Sequence, residues 1–134
     1  MAKLTDIEGI GSTYAAKLQA VGITTQEQLL ERGAHPTDRQ HLESATGIRH
    51  TLLLKWLNRA DLARIKGIGE EYADLLERAG VDTVPELAQR NAAHLHTTMT
   101  EVNKEKLVVR QLPSEHQVTE WIGQAKGLDR ILYY

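Results

Sequence analysis

The sequence predicts an all-α protein, and three observations carry that prediction. Helix-start signals recur along the chain: Thr25-x-x-Gln28, Thr37-x-x-Gln40, Thr83-x-x-Glu86 and Ser114-x-x-Gln117 each set a hydroxyl three residues before a Gln or Glu. Apolar residues fall at helical spacing, as in Ile48, Leu52, Trp56 and Ala60. One glycine-punctuated segment occurs twice, as IEGIGSTYAAKLQAVGITT from Ile7 and as IKGIGEEYADLLERAGVDT from Ile65.

The elements follow in order. Gly9 and Gly11 mark a turn, and a helix with Ala15 and Leu18 on its apolar stripe follows it. Gly22 suits a left-handed cap after that helix, and Thr25 opens the next. Thr37 opens a helix to about Thr46. The stripe from Ile48 to Ala60 predicts a longer helix, with Asp61 capping a short one that enters the second glycine turn. Gly80 repeats the role of Gly22, and Thr83 opens a helix with Pro85 in its first turn. Asn91 caps a helix over Ala92–Lys106, and Ser114 caps the last one. Val108–Leu112 is the only strand candidate, and it has no partner strand.

Aligning Ile7–Leu30 with Ile65–Ala88, an offset of 58, makes ten of 24 positions identical. The pairs are Ile7/Ile65, Gly9/Gly67, Ile10/Ile68, Gly11/Gly69, Tyr14/Tyr72, Ala15/Ala73, Leu18/Leu76, Gly22/Gly80, Thr25/Thr83 and Leu29/Leu87. Such self-similarity means one supersecondary unit used more than once. WLNRADLARI from Trp56 is similar to WIGQAKGLDRI from Trp121, so Leu-x-x-Ile occurs at Leu4, Leu62 and Leu128. No Gly-Ile-Gly follows the third copy. There Leu132, Tyr133 and Tyr134 are expected to cover an apolar surface or, where exposed, to meet a partner. The expected division is residues 1–61 and 62–134, two copies of an internal pseudo-repeat packed as one compact body.

Composition narrows the function. The chain has 134 residues, a net charge of −2 and no cysteine. Disulfides, thiolate metal sites and cysteine nucleophiles are excluded. The near-neutral balance gives no general attraction for nucleic acid, so any such contact must be local. MAKLTDIEGIG lacks the apolar run of a leader peptide, and Leu52–Leu54 is far too short to cross a bilayer, which predicts a cytoplasmic protein without membrane contact. The six histidines form no ligand pattern; His94 and His96 are two apart, where one helix face needs four. A dinucleotide fingerprint would need glycine at Tyr14 or Tyr72. Ser12 has no neighbouring base in sequence, so no catalytic residue, metal or small-molecule substrate is expected. Lys104, Lys106 and Arg110, interrupted by Glu105, read as a solvated helix end.

The pattern Leu-x-x-Ile-x-Gly-Ile-Gly-x-x-Tyr-Ala-x-x-Leu resembles the helix-hairpin-helix motif. Across most of the chain, ADLARIKGIGEEYADLLERAGVDTVPELAQRN and VTEWIGQAK resemble an uncharacterised bacterial family of tandem helix-hairpin-helix proteins. The resemblance implies two tandem repeats in a SAM-like helical bundle. It also implies a phosphate of DNA or RNA held by backbone N–H groups, without base reading. Carried onto this sequence, the nucleic-acid-binding residues would be Gly9, Ile10, Gly11, Ser12, Thr13 and Lys17, with Lys66, Gly67, Ile68 and Gly69 second. A monovalent cation on hairpin carbonyls is also implied, with no other cofactor. The stretch from Gly22 to Leu29 is similar both to the C-terminal domain of the bacterial RNA polymerase α subunit, which grips DNA, and to acidic repeats of a transcription elongation factor, which bind proteins. Two readings therefore stand: a non-enzymatic backbone binder, and an adaptor for an unknown protein using its acidic repeats with Tyr133 and Tyr134. Glu70 and Glu71 replace Ser12 and Thr13 in the second copy. There they stabilise a helix start and repel an anion.

Overall fold

Capping chemistry and glycine placement divide the chain into short helices. A computed structural model describes residues 2–134. A single 3₁₀ turn, Leu4–Asp6, leads into α1 (Ser12–Gln19), α2 (Gln26–Arg32), α3 (Pro36–Thr46) and α4 (His50–Leu62). Then come α5 (Glu70–Arg78), α6 (Val84–Ala88), α7 (Ala92–Glu105) and α8 (Glu115–Lys126). Among the described residues the only β feature is an isolated antiparallel bridge between Lys3 and Thr25. Val108–Leu112 forms no strand.

The local signals explain most boundaries. Thr25 and Ser114 form reciprocal capping boxes with Gln28 and Gln117, and Asn91 accepts the N–H of His94. Gly22 and Gly80 take φ of 88° and 96°, the left-handed region that glycine enters without penalty. Three expectations need correcting. Helix α3 begins at Pro36, ahead of Thr37, because proline's missing N–H costs nothing in a first turn. The Thr83 hydroxyl bonds the Glu86 carboxylate at 3.0 Å instead of capping a backbone N–H, so that box is not reciprocal. Asp61 caps no short helix: α4 runs through it to Leu62, and Asp61 is fully buried.

The chain forms two compact units. The first runs to Asp61 and takes back Arg130–Tyr134, so the tail does not belong with the second repeat as the expected division had it. Its core gathers Leu4, Ile7, Ile10, Leu18, Ile23, Leu29, Leu53, Trp56 and Leu57, and Leu132 from the tail. The second unit is Leu62–Asp129. Here α8 packs on α6 and α7, and α5 packs on α7. Its core gathers Ile65, Ile68, Leu75, Leu76, Val81, Leu87, Leu95, Met99, Val118 and Trp121.

Candidate functional site

Each Gly-Ile-Gly turn is built the same way. Gly9 and Gly67 take φ of 96° and 99°, which only glycine adopts cheaply. The carbonyls of Ile7 and Ile65 accept the N–H groups of Ile10 and Ile68 at 3.1 and 3.2 Å. The isoleucine between the glycines then turns inward: Ile10 is 3% exposed and Ile68 5%. These two were expected among the binding residues, and the structure corrects that for their side chains. They are core plugs, and their N–H groups are already used inside the turn.

The second glycine of each turn is the N-cap of the following helix. Gly11 and Gly69 have extended backbone, at φ −87° and −92°, that any residue adopts. A Cβ on either would meet nothing within 4 Å. Neither α1 nor α5 has a side-chain cap. At neither helix does the N-cap residue supply a side-chain acceptor, and the helix dipole favours negative charge at both starts. At the first turn Gly11, Ser12, Thr13 and Lys17 are all exposed. Lys17 lies in the last turn of α1, with its Nζ 5.7 Å from the centre of the Tyr14 ring.

Behind each turn stands a tryptophan from the last helix of the same unit. The Tyr14 ring meets Trp56 edge-on with centroids 5.0 Å apart, and Tyr72 meets Trp121 at 5.3 Å. The second turn has further supports. Gln124 clamps Lys66, accepting its N–H at 2.8 Å and donating to its carbonyl at 3.1 Å.

The second turn also has a wall that the first lacks. Three residues, 47–49, join α3 to α4, whereas nine, 106–114, join α7 to α8. The Asn103 carboxamide shapes the longer loop, accepting from the N–H groups of Val108 and Val109 and donating to the Val109 carbonyl. The Tyr72 hydroxyl donates to the Gln111 carbonyl at 3.1 Å. Together they bring Arg110 to a cleft of about 470 Å³, shared with Gly67, Gly69, Glu70, Glu71, Tyr72 and Gln111. Sequence reasoning missed Arg110 by assigning it to a solvated helix end. The readable signal was the unequal loop length within an otherwise repeated unit.

Tyr133 and Tyr134 belong to the tail of the first unit. They are 43% and 59% exposed, yet both make contacts within that unit. The Tyr133 ring stacks on His35 with centroids 4.9 Å apart, and the Tyr134 hydroxyl bonds Asn58 at 2.6 Å. Among the described residues, no three His, Cys, Asp or Glu side chains gather as a metal site, and no helix is long and apolar enough to cross a membrane.

The architecture is thus an all-helical chain with a duplicated glycine turn, each turn backed by a tryptophan. Residues 8–128 match the family described as a domain of unknown function, DUF4332, and the chain belongs to that family. No solved structure matches it.

Proposed function

We propose that the chain is a non-enzymatic helix-hairpin-helix module that holds phosphates of a nucleic-acid backbone without reading bases. One observation carries the reading: the N-caps of α1 and α5 are glycines that neither backbone geometry nor packing requires. Ser or Asp there would cap the helix. Glycine leaves bare N–H donors and room for an approaching oxyanion. The first turn is the better site, since Ser12 and Thr13 leave it uncharged and Lys17 can swing toward it. At the second, Glu70 and Glu71 oppose an anion and Arg110 offsets part of that.

The test is fluorescence anisotropy with a labelled 16-bp duplex and a single strand, at about 50 and 200 mM salt. The expected dissociation constant is roughly micromolar or weaker, rising with salt. Lys17→Glu and Gly11→Asp should both abolish binding. The second variant is the sharper one, because its carboxylate caps α1 while occupying the anion's place. No binding at low salt and tens of micromolar protein, a range set by typical non-specific affinities, removes the reading. A protein adaptor would then take its place, favoured by Leu107, 74% exposed on the loop that carries Arg110.

A further inference from the structure

Trp56 and Trp121 are 1% and 2% exposed, and each aims its indole nitrogen at a glycine turn. The Trp56 Nε1 lies 3.2 Å from the point that a Cβ of residue 9 would occupy, and the Trp121 Nε1 lies 2.8 Å from the same point of residue 67. Buried indole N–H groups normally find an acceptor. Among the described residues neither has one. The only fully enclosed side-chain nitrogen or oxygen without a partner there is the Arg39 Nε, so neither indole nitrogen is sealed from the surface. The missing Cβ of Gly9 and Gly67 is what opens the path.

The same constellation occurs twice: a helix whose N-cap is glycine, a second glycine without a Cβ beside it, and an unpartnered indole donor beneath. The Tyr14 and Tyr72 rings hold the two indoles in place. We propose that the indole N–H groups of Trp56 and Trp121 are ligand donors, each giving a hydrogen bond to an oxygen of the phosphate at its turn. This rests on the backbone-binding reading above and extends it to residues far in sequence from the turns they serve, Trp56 from Gly11 and Trp121 from Gly69. A hydrogen bond to a charged acceptor is stronger than one between neutral groups, so a single such donor is worth measuring. The ligand class is a tetrahedral oxyanion, whether a phosphodiester or free phosphate.

The chain has only two tryptophans, so its ¹⁵N spectrum carries two indole signals, assigned by Trp56→Phe and Trp121→Phe. The full chain is titrated separately with a 16-bp duplex and with inorganic phosphate. The expected result is a downfield shift of the Trp56 indole signal alongside the Ser12 and Thr13 amides, with the Trp121 indole and the Glu70 and Glu71 amides following only at higher ligand concentration. Movement with the duplex alone assigns the donors to phosphodiesters, and movement with both probes assigns them to phosphate oxygens generally. If the amides move and the indoles stay, the indole role is overturned while the backbone-binding reading stands. If nothing moves, both fall. Movement of one indole alone sustains the site at that turn and removes it at the other. Phenylalanine keeps a ring against Tyr14 or Tyr72, so each variant should fold, with thermal unfolding as the control. Folded Trp56→Phe should bind the duplex roughly tenfold more weakly, about the worth of one such bond. Unchanged affinity would count against the proposal.

Discussion

Gly9 and Gly11 stand two residues apart and are glycine for different reasons. At Gly9 the backbone is left-handed and a Cβ would press on Trp56, so the fold itself requires glycine. At Gly11 the backbone is ordinary and the space empty. The same contrast holds for Gly67 and Gly69. Substitution should separate them. Gly9→Ala and Gly67→Ala should each lower stability by about 1–3 kcal/mol, the usual cost of a forced left-handed residue. Gly67 should be the worse of the two, since its Cβ would sit 2.8 Å from an indole nitrogen against 3.2 Å at Gly9. Gly11→Asp should hold or raise stability by a few tenths of a kcal/mol, as a carboxylate replaces glycine at an N-cap. Urea unfolding midpoints followed by circular dichroism check the set. A large loss at Gly11 would show that the helix start needs glycine for folding and would strip it of functional meaning. The turn glycines were legible in the sequence because positive φ is a local demand. The inward course of Ile10 and Ile68 runs against the motif, which placed both residues at the ligand.

At the scale of elements, the tail shows what local signals miss. Thr25, Asn91 and Ser114 were readable as helix starts because a cap and the N–H group that donates to it lie within three residues. The tail docks across the sequence: the Arg39 guanidinium donates to the carbonyl of Tyr133, 94 residues away, and to those of Gly33 and Ala34. Tyr133 returns an N–H to the Ala34 carbonyl at 2.8 Å, and Leu132 enters the first unit's core. The sequence leads us to expect that Leu132 covers an apolar surface but not which one, and Leu128 stays at the surface where Leu4 and Leu62 are buried. Burial pushes the Arg39 pKa below its ordinary value, and the charges of Tyr134 and Asp38 pull it back up. Arg39→Met would leave three carbonyls without their charged donor and should cost about 2–4 kcal/mol. Leu132→Ala should cost about 2–4 kcal/mol by emptying a core position. Both changes release the same five residues, so the double variant should lose clearly less than the sum. Full additivity in urea denaturation would mean that the tail does not dock as one piece.

For the whole molecule, duplication was visible at once through the offset of 58, and so was the exchange of Ser12 and Thr13 for Glu70 and Glu71, but the arginine brought to the second turn was not. Glu70 and Glu71 suggested a second turn closed to anions. The loop that brings Arg110 to it depends on Asn103 and Tyr72, contacts that no spacing announces. The number of working turns is therefore a question for measurement, and salt dependence answers it. A net charge of −2 supplies no overall attraction for DNA, so the slope of affinity against salt counts local phosphate contacts. Raising salt from about 50 to 200 mM should weaken duplex binding about 3.5-fold for one contact and about 12-fold for two. With Ser12 and Thr13 at one turn and two carboxylates at the other, we expect the smaller value for short duplexes. Glu70→Ser with Glu71→Thr, which copies the first turn into the second, should raise it toward the larger. Arg110→Glu in that background should return it to one contact. If the slope stays near one throughout, Arg110 serves only to line its cleft, and the second turn is a packing unit. If wild type already gives two, the carboxylates do not keep phosphate out, and the duplicated turn is a duplicated grip.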